Sequence, residues 1–491
     1  MENVLEKVGP FGKFQKCSLI VIGVVSMISA MTVFSTVFLL AEPNIVCVDL
    51  TNNQTISNMS NQCQLWATHN KTSFKCRMDE SVFGSTIVSD WNLICNRSIF
   101  MSLIQTFYMI GTIFSFILGY LADRYGRKKT SILAAASIMV VYLVNNIINL
   151  EILNIDHKTR YLVFLISQIV SGMMNLGIFL IVFILLFEIT SFKYHTLVTN
   201  VNLYLYVLAQ LIICLVSYIF RDWLAINWFI GVFSLIVLIL SVFFLPESPS
   251  FYIATRDYKS AHLLLEKMAK FNGKKSFMAY ADFEAEMSTL AKNHHATTKV
   301  TAFSYIFHSK FRLYKTFALS VIYFGLTLTY YGVSLGITSV GGLNPYLVYI
   351  LSAMAEAIGY MACHLNEIFR RKYVYIAFLF LASVMCLLVA MLPNDQNGSI
   401  LVTVFALIGK TMISGAFNIS YNYTSSMFPA IIRNTLSLSV SCVGRAGSII
   451  SPIINLLGNT VWKPLPYIIF SAFSLVGCFL IASLPEPKGF D

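Results

Sequence analysis

The chain has 491 residues, of which 57% are hydrophobic and 12% are charged, and its mean hydropathy is +0.72. This composition excludes a water-soluble protein with a single buried core, because apolar stretches long enough to cross a bilayer recur along the whole chain. The formal net charge is +11. The positions of the basic residues, given below, explain much of it without a nucleic-acid partner.

Twelve apolar stretches of about 20 residues predict an all-α polytopic membrane protein, since this length of helix crosses roughly 30 Å of hydrocarbon. The first stretch follows Lys7, Lys13 and Lys16. Its apolar run is too long for a signal peptide and no small-residue cleavage site follows it, so we expect it to be retained. The predicted spans are residues 17–41, 99–122, 130–150, 161–187, 197–220, 223–245, 313–335, 345–366, 373–393, 400–422, 434–457 and 464–484.

The segment 41–98 between the first two spans has the features of an extracellular loop. Its glycosylation sequons are at Asn53, Asn58, Asn70 and Asn96. N-glycans are added only on the lumenal face, so we expect this segment outside. Its cysteines are Cys47, Cys63, Cys76 and Cys95. An even number in an oxidising compartment predicts two disulfides with three possible connectivities, and free surface thiols are the alternative.

Lysine and arginine collect between the sixth and seventh spans. Residues 247–315 contain eleven Lys/Arg against six Asp/Glu, whereas the loop 41–98 contains four against five. Positive charge marks the cytoplasmic side of a membrane protein, so we expect the segment 246–312 and both termini to be cytoplasmic. The sequons and cysteines require passage through the secretory route, and we expect a multi-pass protein of the plasma membrane.

Three pairs of motifs repeat at about half the chain length. The matched positions are Asp123 and Glu367, Pro246 and Pro485, and His195 and Arg433, which are 244, 239 and 238 residues apart. Together they predict two six-helix halves of common design, residues 1–245 and 313–491. The linker 246–312 between them is expected to carry an amphipathic helix.

This linker helix is predicted over 257–273, DYKSAHLLLEKMAKFNG. It closes on Asn272 and Gly273, which are typical C-cap residues. We expect it to lie against the cytoplasmic mouth, and a calmodulin-type target helix is the alternative. Its apolar face consists of Leu264, Leu265, Met268 and Ala269.

The stretch GYLADRYGRKK at 119–129 follows the second span and predicts a gate at the inner surface. Glycine there permits close helix contact and a tight reversal, and the basic side chains can pair with carboxylates or with helix ends of the other half. Pairs that hold in only one conformation suit a gate, whereas a plain topology anchor is the alternative. The predicted gating residues are Asp123, Arg124, Gly126, Arg127 and Glu188.

GYLADRYGRKK resembles the signature loop of the major facilitator superfamily, and further stretches resemble the organic cation, anion and zwitterion transporters, solute carrier family 22. These stretches are GPFGKFQK at Gly9, SDWNLICNRS at Ser89, PESPSFYI at Pro246, TYYGVSLGITSVGGLNP at Thr329, IGKTMISGAFNISYNYTSSMFPAIIRNTL at Ile408 and VGRAGSIISP at Val443. The likeness covers almost the whole chain. It implies twelve helices in two six-helix bundles that rock about a central cavity, which opens to each side of the membrane in turn.

Some positions depart from that family's pattern. Ser426 stands where a Glu is usual, Ser250 and Phe251 replace Arg-Trp, Leu224 replaces an Arg, and Phe369 fills a glycine position. The resemblance therefore implies a weakened gate network in the second half. A slow carrier or a non-transporting relative stays open.

Charges inside the predicted spans are the strongest candidates for a binding site. Arg445 lies near the middle of the eleventh span, where arginine costs at least about 2.5–3.5 kcal/mol on insertion scales, so it should face a wet cavity or a partner. The resemblance implies Arg here in anion and zwitterion carriers, where it can grip a carboxylate through two hydrogen bonds. A buried ion pair with Glu356 is the alternative. Lys410 is a second candidate, with helix packing as its alternative.

Aromatic residues are candidates to stack on flat cargo or to face a quaternary ammonium. The resemblance places four of them in the cavity, and core packing is the alternative for each. They are Tyr330, Tyr331, Phe417 and Tyr421. Asn175 and Gln210 could bond either to cargo or across helices. His364 is expected to be a satisfied histidine near the inner face, with proton coupling as the alternative.

The sequence contains no HExxH, GxSxG or phosphate-loop motif, and its histidines show no metal spacing beyond the adjacent His294 and His295. We therefore expect no enzyme, no cofactor and no metal. The favoured function is alternating-access transport of small organic anions or zwitterions such as carnitine-like compounds. It would be driven by the cargo gradient, a coupled ion or exchange. The alternatives are a polyspecific cation carrier, which would bind its cargo through the aromatic residues and Glu356, and a non-transporting, receptor-like membrane protein.

Overall fold

The computed structural model describes residues 2–49, 55–56, 66, 74–150, 155–274, 277–297, 306–339, 343–362, 369–392, 396–428 and 433–486. The helices of these residues are α1 (Glu2–Val8), α2 (Lys13–Leu39), α3 (Ile87–Asp90), α4 (Ser98–Ile113), α5 (Ser115–Tyr125), α6 (Arg127–Ile148), α7 (His157–Ile189), α8 (His195–Phe220), α9 (Trp223–Phe243), α10 (Pro249–Ala254), α11 (Tyr258–Phe271), α12 (Tyr280–Thr297), α13 (Lys310–Gly336), α14 (Pro345–Ala362), α15 (Arg371–Met391), α16 (Gln396–Met427), α17 (Arg433–Thr460) and α18 (Leu465–Ser483).

Eleven helical segments of the described residues are long and apolar enough to cross a membrane. They correspond to eleven of the predicted spans, and α14 occupies the position of the remaining one, 345–366. The predicted span 99–122 differs from the structure, because α4 and α5 meet there at Phe114. The Phe114 amide bonds to the Gly111 carbonyl three residues back, which tightens the helix at this point.

The two halves of the chain use matching helix contacts. In the first half α2 packs on α8, α4 on α7, and α6 on α7 and α9; in the second half α13 packs on α17, α14 on α16, and α15 on α16 and α18. Small residues permit the closest approaches. A Cβ at Gly111 would overlap the backbone of Ile169, and one at Gly447 would overlap the backbone of Phe324. The halves meet where α4 packs on α17 and α8 packs on α14.

A small antiparallel sheet follows α2 and defines one end of the molecule, here called the loop end. Its strands are β1 (Asn44–Asp49), β2 (Thr55–Ile56) and β3 (Phe74–Asp79), in the order β2-β1-β3. Cys76 and Cys95 are disulfide-bonded, whereas the side chains of Cys47 and Cys63 lie outside the described part of the chain. Of the sequon residues, Asn96 is described and exposed; Asn53, Asn58 and Asn70 are outside the described residues.

The opposite end, here called the linker end, carries the helices α10, α11 and α12. The predicted amphipathic helix is confirmed as α11, which ends at the C-cap residue Asn272 and is followed by Gly273 with φ of +80°. Its buried face consists of Ala261, Leu265, Met268 and Ala269. The Asn272 side chain accepts a hydrogen bond from Phe14 N at 2.8 Å and donates to Val8 O at 3.2 Å, which ties the linker to the N-terminal segment.

Apolar packing crosses between the halves at the loop end. Buried residues of the second half near this end, including Leu335, Tyr346 and Tyr349, belong to the same core cluster as the first half. Toward the linker end, the second half has a core of its own that includes Leu319 and Tyr423. The apolar core is therefore continuous between the halves at the loop end, whereas toward the linker end the described residues of the second half form a core of their own.

Candidate functional site

A buried ion pair lies inside the second half. Glu356 on α14 and Lys410 on α16 face each other, with the Lys410 Nζ atom 3.1 Å from a carboxylate oxygen. The side chains are 0% and 1% exposed. Charges removed from water this completely need a partner and further hydrogen bonds to offset their desolvation.

Neighbouring hydroxyls supply those hydrogen bonds. Tyr330 and Tyr360 both donate to Glu356 Oε1, at 2.7 Å and 2.6 Å. Lys410 donates to the Ser334 hydroxyl, and its Nζ atom lies 3.9 Å from the centre of the Tyr330 ring. Glu356 is thus the counter-ion of Lys410 rather than of Arg445, which was the alternative raised by the sequence.

Arg445 lies near the middle of α17 and is 5% exposed. Its Nη1 atom donates a hydrogen bond to the Tyr331 hydroxyl at 3.3 Å, and the Tyr421 hydroxyl also interacts with the guanidinium. No carboxylate pairs with Arg445 among the described residues. A guanidinium has five N–H donors, so this contact set leaves donors for a ligand.

An aromatic chain joins the ion pair to Arg445. The Tyr330 ring contacts Tyr331 at 5.1 Å and Phe417 at 5.0 Å between centroids, and Phe417 contacts Tyr421 at 5.6 Å. Tyr330 is buried, Phe417 and Tyr331 are half-buried, and Tyr421 is 39% exposed. The structure thus brings together all seven residues predicted to bind cargo.

The site faces the first half of the chain. Helix α14 packs on α8 and α17 packs on α4, and Tyr360 shares a small buried cluster with Val207 of α8. Asn175 bonds across helices, since its amide nitrogen donates to Ser29 O at 3.1 Å and contacts the Tyr108 hydroxyl. The site therefore lies on the side of the second half that packs against α4 and α8 of the first half.

The buried Gln210 amide nitrogen has no hydrogen-bond acceptor within the described ranges. His364, the histidine expected near the inner face, lies outside the described residues. The side chains of His294 and His295 do so as well. Among the residues that are described, no three His, Cys, Asp or Glu side chains cluster as metal ligands.

The predicted gating residues come together at the linker end of the first half. The Arg127 Nη1 atom is 2.8 Å from Asp123 Oδ1, and Nη2 is 3.2 Å from Glu188 Oε1. Gly126 has φ of +103°, which explains a glycine at this reversal. Arg124 lies over the Tyr125 ring instead of pairing with Glu188.

Sequence reasoning missed Glu247 as part of this network. Its Oε1 atom accepts hydrogen bonds from Arg127 N at 2.7 Å and Lys128 N at 3.3 Å, so a carboxylate caps the N-terminus of α6. The signal was present, because Glu247 follows Pro246 in one of the repeated motifs. Gly119 differs from the expectation of close helix contact, since a Cβ built there would meet nothing within 4 Å.

The corresponding region of the second half is only partly described, because residues 363–368 are outside the described chain. Phe369 is exposed, and Arg370 lies 3.7 Å from Glu486, which follows the repeated Pro485. Lys372 donates to the carbonyls of Ala482 and Leu484 at 2.8 Å and 2.5 Å, at the end of α18. Both halves therefore use a glutamate after a repeated proline at this end.

An all-helical membrane protein whose halves surround a charged, aromatic-lined region has the architecture of a secondary transporter. The profile of the Major Facilitator Superfamily matches residues 73–452. Solute carrier family 22 member 6 of Rattus norvegicus is 27% identical over 419 residues, which is 84% of this chain and 72% of that protein. The organic cation transporter protein of Drosophila melanogaster is 25% identical over 521 residues, 99% of this chain and 92% of that protein.

Solved structures show the same fold. The inward open conformation of the xylose transporter XylE from E. coli has a TM-score of 0.63 and 14% identity, and the match covers 96% of this chain and 98% of that one. The proton:xylose symporter XylE bound to 6-bromo-6-deoxy-D-glucose has a TM-score of 0.65, also at 14% identity, with coverage of 96% and 97%. At this identity the likeness concerns the fold alone.

The chain belongs to the major facilitator superfamily, and its similarity to members of solute carrier family 22 supports the family resemblance seen in the sequence. The predicted fold class, with twelve transmembrane helices in two bundles, is confirmed. The chain is accordingly a multi-pass transporter and not an enzyme.

Proposed function

We propose that this protein carries small organic anions or zwitterions by alternating access, with Arg445 as the contact for the cargo carboxylate. The observation that supports this cargo class is the charge balance of the site. Glu356 and Lys410 neutralise each other at 3.1 Å, whereas the Arg445 guanidinium contacts tyrosine hydroxyls and no carboxylate among the described residues. One uncompensated positive charge in a low-dielectric region favours an anion.

The aromatic residues support the same proposal. Tyr421 is partly exposed beside Arg445, and Phe417 contacts it, so a flat or ammonium-bearing group could lie against these rings while its carboxylate binds the guanidinium. A zwitterion of the carnitine type has both groups. Tyr330, Glu356 and Lys410 would then act as the fixed wall of the site.

We also propose the orientation of this carrier. The loop end would be extracellular and the linker end and both termini cytoplasmic, which the lysine-rich linker and the exposed sequon residue Asn96 support. The described conformation is then inward-facing. The Arg127 pairs with Asp123 and Glu188 would belong to the inner gate, and residues 1–245 and 313–491 would move as the two bodies.

Uptake by variants of Arg445 tests the cargo. The variants are Arg445→Gln and Arg445→Asp, and the matched control is Arg256→Gln, which removes an exposed arginine from the linker. Uptake of a radiolabelled aromatic carboxylate, carnitine and tetraethylammonium is measured in cells and in proteoliposomes. Loss of a buried charge-assisted contact of about 2 kcal/mol lowers carboxylate uptake roughly 30-fold in Arg445→Gln.

Each outcome separates the candidate functions. Carboxylate uptake that survives in Arg445→Gln at the rate of the control contradicts the proposed role of Arg445. Tetraethylammonium as the best cargo of the unaltered protein would support the cation carrier instead. Binding without saturable accumulation of any of the three probes would exclude transport and support the receptor-like alternative.

A further inference from the structure

Tyr346, the second residue of α14, is inserted into the first half at the loop end. Its ring stacks on Phe38 of α2 with centroids 5.5 Å apart and meets Tyr218 of α8 edge-on at 5.4 Å. Its hydroxyl donates a hydrogen bond to Ser217 O at 3.3 Å. Only 6% of Tyr346 is exposed. A residue of one half thus occupies an aromatic socket made by the other half.

A second ring lies one turn deeper on the same helix. Tyr349 is 2% exposed and contacts Phe38 at 4.8 Å and Phe34 at 6.5 Å between centroids. Residues three and seven positions apart share a helix face, so Tyr346 and Tyr349 lie in line with Glu356 on α14. The two rings therefore stand between the loop end and the candidate binding site.

The segment before α3 supplies the outer wall of the socket. Phe83 contacts Tyr346 with centroids 5.7 Å apart. Two residues further on, the Ser85 carbonyl accepts a hydrogen bond from Trp223 N at 3.2 Å, and the Ser85 amide donates to Arg221 O at 3.1 Å. The segment that carries Phe83 is therefore held against the connection between α8 and α9, so Phe83 should move with the first half.

A further contact strengthens this attachment. Asp90 of α3 accepts a hydrogen bond from Trp223 Nε1 at 2.6 Å, and the Arg221 guanidinium donates to Ser81 O at 3.2 Å. The end of the segment 41–98 is thus bonded to the first half on both sides of Phe83. It cannot move with Tyr346 when the halves separate.

We propose that Tyr346 is the plug of the outer gate and that Phe83, from the loop segment, is the part of the socket that retains it. This inference rests on the proposed alternating-access function. Opening the loop end withdraws Tyr346 from Phe38, Phe83 and Tyr218, while Phe83 stays with the first half. The loop segment then has a role in transport, because it sets how readily the outer gate opens.

A native thiol reports on the plug. Cys214 of α8 is 1% exposed, and its Sγ atom lies 3.9 Å from the Tyr346 carbonyl oxygen. It is a free thiol. Withdrawal of Tyr346 uncovers Cys214 from the loop end, so its reaction with a membrane-impermeant maleimide added outside intact cells measures opening of the gate without any cargo.

The experiment uses the full-length chain with serine at Cys17, Cys386, Cys442 and Cys478, the other described free cysteines. Tyr346→Ala is expected to raise the initial labelling rate about tenfold and Phe83→Ala about threefold, because each weakens the closed state. Tyr346→Phe, which keeps the ring and loses the hydroxyl, should give a smaller increase. Phe100→Ala, an exposed ring at the same end, is the matched control.

Cys214→Ser identifies the signal, since it must abolish the variant-dependent labelling. Rates in Phe83→Ala and Tyr346→Phe that equal the Phe100→Ala rate overturn the proposal, and these two variants decide it even where Tyr346→Ala fails to reach the surface. A labelling response together with no saturable uptake of any organic ion means instead that the gate is correct and the proposed transport function is wrong.

Discussion

At the scale of single residues, the pair of Glu356 and Lys410 determines the charge of the binding region. Replacing a whole buried pair by apolar groups can be nearly neutral, whereas removing one partner leaves an uncompensated charge. Here the carboxylate also accepts hydrogen bonds from Tyr330 and Tyr360. The loss of Glu356 therefore removes the acceptor of two buried hydroxyls together with the counter-ion of Lys410.

This asymmetry gives a prediction. Glu356→Gln should lower the free energy of unfolding by about 3–5 kcal/mol, because Lys410 loses its counter-ion, whereas the double variant Glu356→Gln/Lys410→Met should recover part of it. Thermal unfolding of the purified protein measures both. Additive losses in the double variant would contradict the pairing.

Glu42, which follows α2 at the loop end, provides a pH dependence. Burial raises the pKa of this carboxyl above 4.5, so the folded state favours the protonated form. The free energy of unfolding should therefore increase as the pH falls from neutral through the raised pKa, toward 4.5. Glu42→Gln should flatten this part of the profile and raise Tm at pH 7.5.

The measurement is Tm of the unaltered protein and the variant between neutral pH and pH 4.5, the ordinary pKa of a glutamate carboxyl. Glu80→Gln, at an exposed position nearby, is the control. Parallel profiles for Glu42→Gln and the unaltered protein would show that this carboxyl does not titrate differently in the folded state.

From the sequence, single residues could be selected where one energetic cost dominates. The expense of placing Arg445 in a membrane singled it out, and the structure puts it beside Tyr331. Pairing could not be predicted in the same way, because Glu356 and Lys410 lie on different helices. From the sequence alone, any cation in a predicted span could have been the partner of Glu356, because the arrangement of the helices was unknown.

At the scale of elements, hydropathy was sufficient to predict the membrane spans, and the capping residues were sufficient to predict where α11 ends. The break between α4 and α5 was not predicted, because the apolar run continues through Phe114 without a proline. The clasp between Asn272 and the N-terminal segment was also missed. It joins residues 8–15, near the start of the first half, to Asn272 in the linker. No local sequence pattern reveals a contact between positions so far apart along the chain.

The clasp predicts that Asn272 orders the N-terminus. Asn272→Ala removes hydrogen bonds to Phe14 N, Val8 O and the Gln15 side chain, which should cost about 1–3 kcal/mol locally. Amide hydrogen exchange in residues 2–16 should then accelerate. Asn272→Asp keeps the acceptor and should give an intermediate rate.

Glu266→Ala, which breaks only the exposed pair with Lys270, is the control for this measurement. Exchange that is equally fast in Glu266→Ala and Asn272→Ala would show that general loosening of α11, rather than the clasp, governs the N-terminal segment.

At the scale of the whole molecule, the two halves repeat each other and meet most closely at the loop end. The repeated motifs predicted the halves, but not which end would be closed, because sequence patterns fix helices and not their relative tilt. The proximity of Cys214 and Tyr346 now offers a way to fix that tilt chemically.

Tyr346→Cys in a background with only Cys214 among the described free thiols should cross-link to it on oxidation or with a short bifunctional reagent. Cross-linking locks the loop end closed, so uptake should stop and should return on reduction. The same substitution combined with Cys214→Ser is the control. Full uptake with complete cross-linking would contradict alternating access.

The neutral pairing of Glu356 with Lys410 has an electrical consequence. A monovalent anion at Arg445 makes the loaded carrier electroneutral, whereas the empty carrier keeps one positive charge, worth up to about 2.3 kcal/mol per 100 mV of membrane potential. An interior-negative potential should then hold the empty carrier facing inward. Voltage-clamped vesicles with and without internal cargo would test this. Exchange of one anion for another requires only the electroneutral loaded carrier to change conformation, so the potential does not oppose it. This protein should therefore exchange anions more readily than it accumulates them.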